Sequence, residues 1–325
     1  MATYKDIKGT SIEVVSSDPS NPVLGQIWYN STSQTLKGSE FASAVWASGG
    51  NLGATVYGNA GAGTQTAALS MGGHPQGRTA TEEYNGSSWT AGGNMGTGRY
   101  NTAGAGTQTA GLVIGGQNAT VSPDVIANTE EYNGSSWTAG GNLPAVKRGN
   151  AGAGTQTAGL SFGGTPGGTD TNEYNGTSWT TGGAMTNGRF YLAGCGTQTA
   201  ALAIAGSGPS NKTEEYNGSS WTNGGNLNTG RRHLAAAGIT TAALAFGGDT
   251  PPSGSPGSTP TEQYDGSSWT NTTSMSVARF SFGGAGIQTA ALAFGGQGPP
   301  NTAATEEFTG APDRDWETIW ELEDV

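Results

Sequence analysis

Short apolar runs closed by paired glycines recur along this chain. In one of them Ala242, Ala243, Leu244, Ala245 and Phe246 lead directly into Gly247 and Gly248. Such a run is short for a helix and its glycines end it in a turn, so the pattern predicts strands separated by turns. The runs belong to a repeat. The segment Gly-Thr-Gln-Thr-Ala-(Ala/Gly)-Leu begins at Gly63, Gly106, Gly154 and Gly196, and with small changes at Gly238 and Gly286. The six copies, numbered here in that order, start 43, 48, 42, 42 and 48 residues apart. That is the period of a four-stranded propeller blade. The chain is therefore expected to be all-β, a six-bladed β-propeller with four-stranded blades.

Each copy parses into strands a to d. Strand a carries small residues (Ala103 to Gly106), as an innermost strand near an axis should. Strand b is the apolar run, sandwiched between neighbouring blades. Strand c holds Glu82, Glu83 and Tyr84 in copy one, and strand d holds Ser87, Ser88 and Trp89. As the outermost strand, d is expected to face water. The Asn85-Gly86 pair between c and d predicts a two-residue type I′ hairpin. The Tyr-to-Trp step recurs at Tyr132/Trp137, Tyr174/Trp179, Tyr216/Trp221 and Tyr264/Trp269, and these residues are assigned a structural role in the repeat. Copy six lacks the step, yet a propeller has to close or leave sheet edges open. Phe41-Ala-Ser-Ala-Val-Trp46 has the same five-residue offset, so an N-terminal strand carrying Trp46 is expected to complete the last blade. Trp316, eight residues after Phe308, is the competing donor of that strand.

Double glycines followed by a tyrosine and a tryptophan, as in Gly72-Gly73, Tyr84 and Trp89, resemble the kelch repeat. The resemblance covers roughly residues 41 to 316 and implies the fold, not a function. Copy four departs from it with Ala205-Gly206. Basic residues open strand a in five copies: Arg99, Lys147, Arg189, Arg231 and Arg279. Their repetition points to a structural role, such as binding carbonyls of the next blade.

Composition narrows the chemistry. The net charge of −11 disfavours nucleic acid as a partner. No apolar run approaches the length of a membrane span, so no membrane insertion is expected, and residues 1 to 10 lack the pattern of a signal peptide. The Asn-Gly-(Ser/Thr) triplets therefore read as turns and not as glycan acceptors. Cys195 replaces an alanine and reads as a small buried residue. Some kelch-like propellers are copper oxidases, but His74 and His233 lie in different copies and no metal-ligand spacing is present, so neither metal nor cofactor is expected. Sialidases, also six-bladed, need an asymmetric set of arginines and carboxylates with a tyrosine nucleophile, whereas the basic residues here repeat. No catalytic residue is assigned.

The b–c loops vary in length and composition while the rest of the repeat does not, which is the layout of a binding surface. Candidate ligand-binding residues on that face are His74, Gln76 and Arg78 in copy one, Gln117, Asn118 and Asp124 in copy two, and Asp170 in copy three. Copies four to six add Asn211, Lys212, Asp249, Gln297 and Asn301. These loops are polar and poor in aromatics, suited to a glycan or a polar protein patch. Outside the propeller (residues 41–312) lie an N-terminal segment, 1–40, and an acidic tail, 313–325. In the tail Trp316, Ile319 and Trp320 stand at helical spacing.

The start, Met-Ala-Thr-Tyr-Lys-Asp-Ile-Lys-Gly-Thr followed by Gly25-Gln-Ile-Trp-Tyr-Asn-Ser-Thr, is similar to the start of virion proteins of tailed bacteriophages, marine ones especially. That resemblance covers about 40 residues. It implies a particle-surface protein assembled in the host cytoplasm and carried on the virion, as a tail or capsid appendage. Residues 1–40, with a small hairpin around Asn30 to Ser33, would contact other virion proteins, and the propeller would be displayed outward. A homo-oligomer is compatible with this. A glycan-processing enzyme of sialidase or lyase type and an intracellular kelch scaffold are the alternatives.

Overall fold

The structure is a computed structural model that describes residues 12–18, 26–40, 43–75, 78–118, 120, 122, 124–208, 210–250, 256–310 and 315–321. These residues form seven four-stranded sheets and no helix. Two compact units are present: Val45–Thr309, and Met1–Ala44 together with Gly310–Val325.

The larger unit holds six of the sheets in a propeller-like arrangement, one sheet per repeat copy. Copy two is representative: strands a (Ala103–Thr107), b (Ala110–Ile114), c (Thr129–Tyr132) and d (Trp137–Ala139) pair antiparallel in chain order. Strand b is apolar on both faces because both are covered; Leu112, Val113 and Ile114 are fully buried. The a strands of successive copies lie against one another, and that of copy six lies against that of copy one. Their approach explains the glycines, since a Cβ on Gly104 would stand 2.7 Å from the Gly61 carbonyl oxygen. Cys195, on strand a of copy four, is buried, and burial pushes its thiol up to about 12.

Copy six takes its d strand from Val45–Gly49, which pairs with Thr305–Thr309 and sets Trp46 opposite Phe308. Trp89 stands opposite Tyr84 in the same way. Each d-strand indole donates to a strand-c threonine of the copy before it: Trp137 to Thr81 at 2.9 Å, Trp89 to Thr305 at 2.9 Å and Trp46 to Thr261 at 3.1 Å. Trp179, Trp221 and Trp269 reach Thr129, Thr171 and Thr213 at 3.0, 2.9 and 3.0 Å.

The expectation that strand d faces water is corrected at these last three tryptophans. Trp179, Trp221 and Trp269 are buried, only 7%, 4% and 4% exposed, whereas the threonines that follow them, Thr180, Thr222 and Thr270, are exposed. Successive side chains of a strand point to opposite faces, and the indole takes the face covered by the preceding sheet. There Trp179 packs with Leu112 and Ile114, Trp221 with Leu160 and Phe162, and Trp269 with Leu202 and Ile204. Trp89 and Trp137 make the same bond while remaining half-buried. The tyrosines opposite do likewise toward glutamates. Tyr84 donates to Glu307, Tyr132 to Glu83, Tyr174 to Glu131, Tyr216 to Glu173 and Tyr264 to Glu215. At the sixth position both partners change together, to Phe308 and Gln263. The structural tyrosines and tryptophans thus join neighbouring sheets through paired polar tips on apolar rings.

The c–d turn is not the expected type I′ hairpin. Only the glycine has a positive φ (Gly86, 88°). The turn spans Asn85 to Ser88, and the Asn85 Oδ1 accepts from the Ser87 and Ser88 amides at 3.0 and 2.9 Å. A side-chain acceptor that satisfies two turn amides removes the need for a second left-handed residue.

The smaller unit is one sheet of Glu13–Val15, Ile27–Asn30, Thr35–Glu40 and Asp315–Glu321, antiparallel except for its first pair. The tail segment with Trp316 and Trp320 is therefore a strand and not a helix. Trp316 pairs with Ser39 in this sheet, so it is not the donor of the copy-six d strand. Tryptophans four apart fit a period of two as well as one of 3.6, and the edge of Thr35–Glu40 offers the backbone partners that decide it. Asp18 accepts from Lys37, Asn30 and Trp28 at 2.7, 2.8 and 3.0 Å. Burial would raise its carboxyl, but those three donors outweigh it and hold the group at about 2.

Candidate ligand-binding mouth

The site starts from the basic residue that opens strand a. Arg231 is fully buried; one terminal nitrogen donates to the carbonyls of Gly247 and Pro260 at 3.2 and 2.7 Å, and the other reaches the Glu262 carboxylate at 2.8 Å. Burial pulls the guanidinium pKa down, and Glu262 offsets part of that. Glu262 also accepts from the Asn228 amide at 2.7 Å, which ties the d–a turn to strand c. Arg99, Arg189 and Arg279 repeat the arrangement with Glu130, Glu214 and Glu306. All of these carbonyls belong to the arginine's own sheet, so the expected contact with the next one is corrected. Copy three carries Lys147 with Asp170, 3.0 Å apart, and Asn172 where the other copies have glutamate. Paired and desolvated, these cations are structural.

Two residues further on, the chain turns into strand a through a left-handed conformation in every copy. The residues are Gly58, Asn101, Gly149, Tyr191, His233 and Ser281, with φ between 50° and 65°. Each donates its amide to the carbonyl of the equivalent residue one copy earlier: Asn101 to Gly58 at 2.7 Å, Gly149 to Asn101 at 2.8 Å, Tyr191 to Gly149 at 2.7 Å, His233 to Tyr191 at 2.8 Å and Ser281 to His233 at 2.9 Å. Gly58 donates in turn to Ser281 at 2.6 Å, so the circuit returns to its start. These residues line an open depression of about 80 Å³. Because the circuit uses backbone alone, their side chains are free to differ, and they do. A left-handed tyrosine, histidine or serine carries a backbone cost of roughly 1 kcal/mol or more, and such outliers concentrate where a site imposes them.

The residue before each circuit position forms an outer row: Tyr57, Tyr100, Arg148, Phe190, Arg232 and Phe280. Its backbone pairs with the first residue of the b–c loop in the same copy, as in Tyr57 with His74, Tyr100 with Gln117, Arg232 with Asp249 and Phe280 with Gln297. Aromatic side chains meet across this surface. His74 stacks on Tyr57 with centroids 4.7 Å apart and meets the edge of Tyr100 at 5.5 Å. A second arc runs from Phe190 to Tyr191 (5.1 Å), to His233 (4.0 Å) and to Phe280 (5.9 Å). The Nδ1 of His233 lies 2.9 Å from Asp249, which also accepts from the Arg232 Nε at 3.0 Å. Burial would raise the Asp249 carboxyl, but its hydrogen bonds to His233 and Arg232 bring it below the usual range. An ionised Asp249 leaves Nδ1 as the protonated nitrogen of His233, and no described residue bonds its Nε2.

The predicted loop residues divide. His74, Gln117 and Asp249 stand at the mouth; Gln117 accepts from Asn101 at 2.9 Å and donates to Asp124 at 2.8 Å, while Asn118 is buried and caps the turn at Thr120. Gln297 is half-buried beside Phe280. Asp170 is committed to Lys147, and Lys212 donates to Asn187 at 2.8 Å. Asn211 and Asn301 are exposed, Arg78 is half-buried, and none of the described loop residues predicted for the site lines the depression itself. Gln76 lies outside the described residues. The outer row and circuit stand at strand entries and not in the variable loops, so loop variation does not single them out. A signal was present: the two positions after a constant basic residue read Tyr-Asn, Arg-Gly, Phe-Tyr, Arg-His and Phe-Ser in copies two to six. No protein-family model matches this chain, and no curated protein matches it significantly.

Proposed function

We propose that the six sheets of the larger unit are the blades of one closed, kelch-like, six-bladed propeller, and that this propeller is a non-enzymatic binding module. The observation that carries the reading is the mouth. Residues that join the sheets are alike in nearly all copies, while the residues around one end of the axis differ from copy to copy and carry strained backbone. The backbone circuit through all six copies and the Trp46 strand in copy six support closure. The similarity of the first 40 residues to virion proteins extends the proposal: the chain is a tail or capsid appendage of a tailed bacteriophage, held by its N-terminal segment, with the mouth turned toward a host-surface glycan or protein. Immunogold electron microscopy of particles from the source, with antibody raised against the purified chain, tests this. Gold on tail or head supports it, and unlabelled particles reject the virion assignment.

A glycan-processing enzyme is a second reading, favoured by the asymmetric set of Arg232, His233 and Asp249. Against it, glycoside hydrolysis uses a pair of carboxyl groups flanking the bond, and the carboxylate of this set, Asp249, is already held by Arg232 and His233. Release of reducing sugar by the purified chain, abolished in His233→Gln, would establish it in place of the first.

A further inference from the structure

The charged side chains around the mouth differ in whether they have a hydrogen-bond partner. The protein carries a net −11, yet the carboxylates of this face are already committed. Asp249 is held by Arg232 and His233, Asp124 by Gln117, and Asp170 by Lys147. Arg148 is the opposite case. It is half-buried in the outer row, its backbone paired with Thr165, and its charge and that of Asp124 act on the Tyr100 hydroxyl in opposite senses. Its guanidinium has no hydrogen-bond or ion-pair partner among the described residues. A guanidinium held without a partner on an acidic protein is a receptor for an anion.

We infer that the mouth binds the terminal residue of a carboxylated saccharide, with Arg148 engaging the carboxylate. The inference deepens the binding-module reading and rests on it. The planar guanidinium of Arg148 matches a carboxylate in a bidentate pair. The neighbours of Arg148 fit the rest of a sugar. Tyr57, His74 and Tyr100 form an aromatic arc on one side, and Phe190, Tyr191 and His233 on the other. Such surfaces suit the apolar C–H face of a pyranose. Ser281 and the Nε2 of His233 supply hydrogen-bonding groups for its hydroxyls. The depression, about 80 Å³ and open, is well below the ~300 Å³ at which enclosed ligand pockets begin. A sugar would therefore lie over the depression and not inside it.

The test is a glycan array carrying uronate- and sialate-terminated oligosaccharides beside their carboxyl-reduced counterparts, probed with the full-length chain. Retention of carboxylated glycans alone is expected. Arg148→Met should weaken it by about tenfold or more, the loss of one charged hydrogen-bonded contact, with an unchanged melting temperature. Thr222→Ala, at an exposed position of a d strand, should leave binding unaltered. Equal retention of reduced glycans, a blank array, or full binding by Arg148→Met would overturn the inference. Adsorption to host cells separates it from the reading beneath it. A chain that adsorbs while the array is blank keeps the attachment role and loses this site. A chain that binds carboxylated glycans in solution but does not adsorb keeps the site and loses the role.

Discussion

The two ends of the a strands join neighbouring sheets by different chemistry. At the a–b end a side chain makes the bond: the Nε2 of Gln156 donates to the Gly111 and Tyr132 carbonyls of the preceding sheet at 3.0 and 2.7 Å, and Gln65, Gln108, Gln198 and Gln288 do the same. At the mouth the bond is backbone to backbone, through the left-handed residues from Gly58 to Ser281. Where a side chain joins the sheets, the residue type is held nearly constant: glutamine in five copies, with Thr240 in its place in copy five. Where the backbone joins them, the side chain is released, and one position holds glycine, asparagine, tyrosine, histidine and serine. Constancy and variety along the repeat thus follow from which atoms make the inter-sheet contact.

The largest expected effect acts on the side-chain contacts. Burial first, and the glutamate partner second, hold the hydroxyls of Tyr84, Tyr174, Tyr216 and Tyr264 up at about 12, against an ordinary value of 10.0, and Tyr132 shifts the same way. A folded-state pKa above the unfolded one means that the native chain keeps its protons longer. The contribution is complete below pH 10 and is lost as the pH rises toward 12. Denaturant melts at pH 9, 10, 11 and 12 should show stability falling across that window. The double variant Tyr174→Phe with Glu131→Gln copies the natural Phe308 and Gln263 pair; it should fold and lose less stability over the same range. A melt that is flat from pH 9 to 12 would show that these bridges do not hold the sheets together.

The next effect compares the two ends directly. Gln156→Ala strips two carbonyls of their donor and should cost about 1–3 kcal/mol. Arg148→Ala, at the variable mouth, removes no side-chain hydrogen bond or ion pair to a described residue and should stay within about 0.5 kcal/mol. Urea midpoints of the two variants check the contrast, and equal losses would abolish the distinction drawn between the ends.

The same contrast explains what was legible in the sequence. Whatever is repeated six times shows as a period: the strand order, the buried b strands, the Tyr and Trp partners, and the offset that places Trp46 opposite Phe308 as Trp89 stands opposite Tyr84. Features decided by one local contact did not show. The Asn85 side chain caps its own turn and makes the type I′ conformation unnecessary. The depth of Trp179, Trp221 and Trp269 depends on the sheet beside them, which a strand's own sequence does not contain. The strand edge at Thr35–Glu40 makes a strand of a segment whose tryptophan spacing fits either period. The mouth was half legible. Loop residues such as His74 and Asp249 stand out by their variation, but Tyr191 and His233 do not, because only the backbone circuit brings four chemically unlike residues from four copies around one depression.

The smallest effect probes the circuit itself. Gly149 has φ +60°, and a Cβ there would stand 2.7 Å from the Tyr191 ring. Gly149→Ala should therefore be penalised twice, once for a left-handed alanine and once for displacing Tyr191 from the neighbour it covers. The backbone term is about 1 kcal/mol, reduced by the entropy that alanine removes from the unfolded chain. In a Tyr191→Gly background the ring is gone and only the backbone term remains, so the same substitution should cost less. Thermal melts of the two single variants and the double variant give the coupling between them. Coupling of several tenths of a kcal/mol places Tyr191 over Gly149, with its stack on His233 on the other face. Strict additivity would mean that the ring does not rest there, and that the arc from Phe190 to Phe280 is looser than the 4.0 Å Tyr191–His233 contact implies.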